Sequence, residues 1–149
     1  MKIVYQRVSS ASVRIEGERH AVIGPGALLL LAVEKGDDEA TLSWGARKCA
    51  ELRAFEDEER KMNRSLLEVG GEALVVSQFT LAARVRKGRR PSFDRAAEPH
   101  EAHRLYDFFC SELEHLGLLI STGVFGAMMD VELVNAGPVT FIIERGKDG

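Results

Sequence analysis

Polar and apolar positions divide the chain into short runs with clear changes of period. Residues 3–9 and 12–16 are rich in β-branched side chains and predict two strands. Glu16-Gly17-Glu18 predicts a tight turn, because glycine tolerates positive φ, and residues 20–23 predict the returning strand. Gly24-Pro25-Gly26 interrupts the pattern and reads as a hairpin turn. Residues 27–33 form a continuous apolar run, which predicts a strand buried on both faces.

The period then lengthens. Leu42, Ala46, Cys49 and Leu52 recur at helical spacing within a predicted helix over 39–53, and Asp37-Asp38 supply capping carboxylates. Gly70-Gly71 turns into an apolar strand over 73–79, and a basic, proline-interrupted loop covers 84–95. Pro99 opens a second helix at the position where its missing N–H costs nothing. Ala102, Leu105, Tyr106, Phe109, Leu113 and Leu116 form its apolar stripe, and Gly117 suits its C-terminal end. Met129, Val131 and Leu133 alternate with Asp130, Glu132 and Val134 along a further strand. Asn135-Ala136-Gly137-Pro138 reads as a turn before a last strand over 139–143, with a loose polar tail from about residue 145. Strands in runs with two main helices between them predict an α+β fold. We expect a single domain over 1–149, with a mixed, mostly antiparallel sheet curled toward a barrel.

The chain has 149 residues, 45% hydrophobic and 29% charged, which suits one soluble globular domain with one good core and little room for a second. A net charge of −3 excludes attraction of the whole molecule to nucleic acid, so any such contact needs a local patch. Residues 84–90 hold five cations in seven positions, among them Arg86, Lys87, Arg89 and Arg90. A solvated loop and a phosphate-contacting loop both fit that run. Cys49 and Cys110 lie far apart in predicted helices and read as small core residues of a reducing compartment. Polar residues interrupt 1–7 too early for a signal peptide, and the apolar run 27–33 is too short to span a bilayer. The expectation is a cytoplasmic protein with no membrane partner.

Candidate chemistry is sparse. His100 and His103 are three residues apart on one helix, yet no partner joins them at a recognised ligand spacing, so neither a metal nor a cofactor is expected. The chain has no Gly-x-Ser-x-Gly elbow, no P-loop and no dinucleotide fingerprint. Ser77, Gln78, Phe79 and Thr80 stand where an apolar strand emerges, either as a strand end capped by a threonine turn or as the lining of a site. Gly137-Pro138 is either a plain turn or a surface that presents two carbonyl oxygens to a ligand, since glycine lacks Cβ and proline lacks an N–H.

Taken in order, these segments resemble the D-aminoacyl-tRNA deacylase family. Ser77-Gln78-Phe79-Thr80-Leu81 resembles its first signature and Asn135-Ala136-Gly137-Pro138-Val139-Thr140 its second. Gln6-Arg7-Val8, Lys61-Met62-Asn63, Arg90-Pro91-Ser92-Phe93 and the segment 122–127 with Met129 support the match, which runs from Met1 to about Ile143. The resemblance implies a carboxylic ester hydrolase that acts as a homodimer on the aminoacylated 3′ end of tRNA, with no DNA partner. It implies that Ser77, Gln78, Phe79 and Thr80 line the pocket for the terminal adenosine and its aminoacyl group. The partner subunit would lend a cis Gly137-Pro138 pair whose carbonyls exclude an L side chain. Arg7 would hold that loop. Glycyl-tRNA, mischarged on tRNA-Ala, would be a side substrate, because glycine has no side chain to exclude. The substrate's own 2′-hydroxyl would assist cleavage, and Thr80 would be a pocket residue rather than the nucleophile, since no histidine or lysine is placed by sequence to activate it. Ala136 departs from the polar residue common at that position, whereas Ser77-Gln78 matches the chirality-strict branch. A non-catalytic tRNA-binding module and a small-molecule hydrolase are the competing readings. Release of a D-amino acid at catalytic enzyme levels separates the deacylase from the first. Indifference to loss of Arg86, Lys87, Arg89 and Arg90 would favour the second.

Overall fold

A computed structural model describes residues 1–146. Its strands are β1 (Lys2–Ile15), β2 (Glu18–Ile23), β3 (Gly26–Ala32), β4 (Phe55–Glu56), β5 (Met62–Arg64), β6 (Glu72–Ser77), β7 (Leu119–Thr122) and β8 (Asp130–Glu144). Two helices, α1 (Glu39–Glu51) and α2 (Pro99–His115), and a 3-10 turn at Phe79–Ala82 complete the described elements. None of the described helices is long and apolar enough to cross a membrane.

β1 is a single strand where two were expected. It turns back through Glu16 and Gly17, both at positive φ (51° and 81°), the turn geometry that matches strand twist. The return then departs from expectation at Gly24-Pro25-Gly26, which is a kink rather than a hairpin turn. Ala11 pairs with Ile23 and Val8 with Gly26, so the same register resumes beyond the kink. Pro25 has no N–H to give the ladder. Gly26 admits the neighbouring β6 backbone, since a Cβ there would stand 1.8 Å from the Glu72 carbonyl oxygen.

The remaining pairings make the sheet mixed. β1 is antiparallel to β2, β3 and β8, whereas β3, β6 and β7 run parallel. Parallel neighbours need crossover connections, and those are the two helices: α1 lies between β3 and β6, and α2 between β6 and β7. α1 begins at Asp38, whose carboxylate accepts the Thr41 N–H (3.0 Å), and ends two residues before the expected Arg53. The β4–β5 hairpin and β7 lack a clear sequence period and were not expected.

Two apolar clusters form instead of one. Ile3, Tyr5, Leu29, Leu31, Leu42, Leu105 and Phe109 belong to the helix-side cluster. Val8, Val13, Ile23, Leu28, Leu74 and Val76 form the other, with Met129, Val131 and Leu133 packed against it. Leu28 and Leu29 are adjacent in sequence and belong to different clusters, as strand alternation requires of an element covered on both faces. The sheet curls enough to bring β2 near β6 and β7, with which it shares no pairing, and this enclosure makes the second cluster possible in so short a chain.

Arg145, where a loose tail was expected to begin, is held on both sides. Arg145 N–H donates to the Met1 carbonyl (3.1 Å), and its guanidinium lies 4.7 Å from the Trp44 ring centre. The buried Met1 ammonium donates to the Arg145 carbonyl (3.0 Å), to Glu34 (3.0 Å) and to Asp37 (3.0 Å). Residues 147–149 of that expected tail lie outside the described residues.

Candidate functional site

β6 emerges from the core at Ser77, two residues short of the expected end, and the 3-10 turn follows. Gln78 N–H still donates to the Leu31 carbonyl of β3 (2.8 Å), so the backbone is held by the sheet up to the point where it turns. Phe79 and Thr80 are exposed. Their N–H groups open the 3-10 turn and have no acceptor within it, the arrangement that can receive a developing negative charge. The Gln78 side-chain amide donates to the Thr80 hydroxyl (2.5 Å). No histidine, lysine or carboxylate is hydrogen-bonded to that hydroxyl among the described residues.

The basic loop rises beside this strand end. Its base is pinched by paired backbone bonds between Arg84 and Ser92 (2.8 and 3.0 Å). Phe93 packs on Phe79 with ring centres 5.1 Å apart, which fixes the loop against the site. Phe93 carried no signal beyond its place in a supporting motif. Arg86, Lys87, Arg89 and Arg90 stand exposed at the tip, and none makes an ion pair among the described residues.

Gly137-Pro138 is not the expected turn between two strands. It lies within the 15-residue strand β8, as a bulge. From Gln6↔Thr140 to Val8↔Asn135, β1 advances two residues while β8 advances five. The extra residues protrude, leaving Gly137 and Pro138 exposed and joined by a cis peptide bond. Arg7 lies opposite, mostly buried. Its Nε donates to the Ala136 carbonyl (2.8 Å), one of its terminal nitrogens donates to the Ala54 carbonyl (2.9 Å), and the other stands 3.8 Å from Glu56. Asn135, which the pattern offered only as a turn residue, bonds across the bulge to Val139 and Thr140.

One chain does not bring these two places together. Ser77, Leu31, Ile3 and Ile143 form a single row across β6, β3, β1 and β8. Three strand spacings, plus the stretch of β8 from Ile143 to Pro138, lie between the strand end and the bulge along the sheet. Thr80 stands on an open surface. A hollow of about 460 Å³ between α2 and the end of β7 is lined by His103, Tyr106 and Phe125 but by neither signature. There His103 stacks on Phe125 (4.4 Å) and approaches Asp107 (3.5 Å), a local contact its sequence spacing to His100 did not suggest. Burial raises both thiols, Cys110 to about 12, so neither supplies a thiolate nucleophile near neutral pH.

The fold and these two signatures therefore define an α+β domain in which, among the described residues, neither signature holds a nucleophile–base pair, and which carries a polar strand end and a protruding backbone bulge three strands apart. Residues 4–144 match the family described as D-Tyr-tRNA(Tyr) deacylase, and the chain belongs to that family of hydrolases. It is 60% identical over 147 residues to a D-aminoacyl-tRNA deacylase of Thermomicrobium roseum, covering 99% of this chain and 96% of that one. It is 59% identical over 145 residues to a D-aminoacyl-tRNA deacylase of Pelobacter propionicus, covering 97% and 100%. Among solved structures, one titled c-Myc DNA Unwinding Element Binding Protein superposes with TM-score 0.94 at 40% identity, covering 98% of this chain and 99% of the other. One titled as a probable eukaryotic D-amino acid tRNA deacylase shares the fold, with TM-score 0.82 at 18% identity over 95% and 97% of the two chains.

Proposed function

We propose that the chain hydrolyses the ester of D-aminoacyl-tRNA and does so as a homodimer. Ser77, Gln78, Phe79 and Thr80 of one copy receive the terminal adenosine and its aminoacyl group. Gly137-Pro138 of the other copy closes over them. The observation that carries this reading is the bulge: a backbone pair exposed at a strand edge, held from behind by Arg7, and three strands removed from the strand that leads to Thr80 in its own chain. An L side chain would meet two carbonyl oxygens there, with a steric clash and no polar partner, whereas a hydrogen would not. Glycine on tRNA-Ala passes the same filter.

The hydroxyl of Thr80 accepts from an amide and has no base beside it, which supports the substrate-assisted route over nucleophilic attack by Thr80. On this route the terminal 2′-hydroxyl assists cleavage, the N–H groups of Phe79 and Thr80 receive the oxyanion, and the protein contributes orientation. Orientation contributes about 7–11 kcal/mol in the best intramolecular cases. The basic tip beside Phe79 meets phosphates near the 3′ end.

The test is turnover of D-aminoacyl-tRNA carrying the amino acid on the 3′ position. Replacing the 2′-hydroxyl by hydrogen abolishes cleavage, while Thr80→Ala retains measurable turnover. Full activity on the deoxy substrate refutes the substrate-assisted route. No release of D-amino acid at catalytic enzyme levels refutes the deacylase.

A further inference from the structure

The bulge in β8 has an unusual foundation. Where the strand leaves its register, the Asn135 side chain takes over the pairing that β1 no longer provides. Its Oδ1 accepts the Val139 N–H (2.7 Å). Its Nδ2 donates to the Val139 carbonyl (3.3 Å) and to the Thr140 hydroxyl (3.0 Å). Gln6 on β1 adds a longer bond to that same hydroxyl (3.4 Å). One amide thus occupies both main-chain groups of the residue that follows Pro138, as an opposing strand residue would.

The other flank is held differently. Arg7 grips the Ala136 carbonyl, immediately before Gly137. Gly137 and Pro138 have no partner residue on β1. The orientation of their two carbonyls is therefore fixed by what pins residues 136 and 139, and among the described residues Asn135 alone of the side chains hydrogen-bonds residue 139. The space behind offers little slack, because a Cβ on Gly137 would stand 2.7 Å from Val139 Cγ2 and 3.3 Å from Arg7.

We infer that Asn135 is a positioning residue for chirality: its amide bridge to Val139 sets the direction of the Gly137 and Pro138 carbonyls and so the strictness of D-over-L discrimination. This rests on the reading of the bulge as the filter. Loss of the bridge lets the Val139 peptide rotate, and misplacement by about 1 Å at an oriented site is worth about 100-fold. Asn135 touches no substrate in this scheme; it acts through the two residues it spans.

The experiment compares D- and L-aminoacyl-tRNA cleavage by Asn135→Ala, Asn135→Asp and Pro138→Ala, alongside thermal melting and dimer mass. Asn135→Asp keeps the acceptor for the Val139 N–H but sets a carboxylate against the Val139 carbonyl, so it serves even where Asn135→Ala folds poorly. The expected result is a D/L ratio of kcat/KM that falls at least tenfold in the Asn135 variants, in dimers that still bind uncharged tRNA as the parent does. A merely structural role would lower both substrates together and leave the ratio unchanged, and that outcome overturns the inference. If Pro138→Ala also leaves the ratio unchanged, the filter reading itself fails and the inference falls with it. If Pro138→Ala collapses the ratio and the Asn135 variants do not, only the role of Asn135 is lost.

Discussion

Tyr5 buries its ring completely, yet its hydroxyl has no hydrogen-bond partner among the described residues. Tyr106 makes the contrast, since its buried hydroxyl donates to the Val75 carbonyl at 2.8 Å. Burial pushes the pKa of both phenols above the usual range and so keeps them neutral, with Cys49 adding to the effect at Tyr5 and Cys110 at Tyr106. An unsatisfied buried hydroxyl costs about 1–3 kcal/mol, whereas its removal costs only the contacts of one oxygen. Tyr5→Phe therefore leaves stability unchanged or raises it by about 1 kcal/mol, read by urea denaturation. A loss above about 1 kcal/mol would show that the hydroxyl has a partner. Tyr106→Phe serves as the opposite control and loses stability.

Single residues were legible in the sequence to very different degrees. Cys49 and Cys110 were readable as core because helical spacing places them on apolar stripes, and both are buried. Arg7 entered through the resemblance; a cation in a β-branched run gives no hint of the carbonyls it will meet. Asn135 was visible only as a turn former, because an asparagine that imitates a strand partner has the same composition as one that starts a turn.

At the scale of elements, the sequence revealed periods and concealed register. Both helices were readable from spacing and caps, and the class of sheet from strands arriving in runs. Gly24-Pro25-Gly26 was not, since a turn and a kink draw on the same residues, and only the pairing of Val8 with Gly26 distinguishes them. The bulge at Gly137-Pro138 was hidden for a similar reason: register belongs to two strands, and no local window contains both. The 3-10 turn after Ser77 shortened a strand that was expected to run on through Ser77 and Gln78 to Phe79. One consequence can be measured at the kink. Gly26→Ala drives a methyl group into the Glu72 carbonyl, and backbone has no rotamer by which to yield. It destabilises by about 3 kcal/mol or more through the β3–β6 pairing, seen as early loss of amide protection in that pair. A melting temperature within a degree or two of the parent would mean that the two strands part without cost.

For the whole molecule, the proposed site is divided between copies, which makes complementation a direct assay. Phe79→Ala weakens the pocket of its own chain, and Gly137→Val, whose Cβ would stand 2.7 Å from Val139 Cγ2, distorts the bulge that the proposed dimer offers to the partner's pocket. A mixed dimer of the two variants contains one site built from two intact halves. After random reassortment of equal amounts, about one quarter of all sites are intact, and D-aminoacyl-tRNA turnover recovers to about that fraction. Activity that stays at the mean of the parents, with subunit exchange verified by mass, places pocket and bulge within one chain and refutes the shared site.

β1 ties these scales together. Ile3 lies in the row that ends at Ser77, and Arg7, four residues further on, grips the bulge that the proposed dimer offers to the neighbour. A single extended rod thus measures the distance between what a subunit keeps and what it gives away. In the proposed dimer its length acts as a ruler: both sites inherit the same interval, so neither is widened for a bulkier substrate without the other.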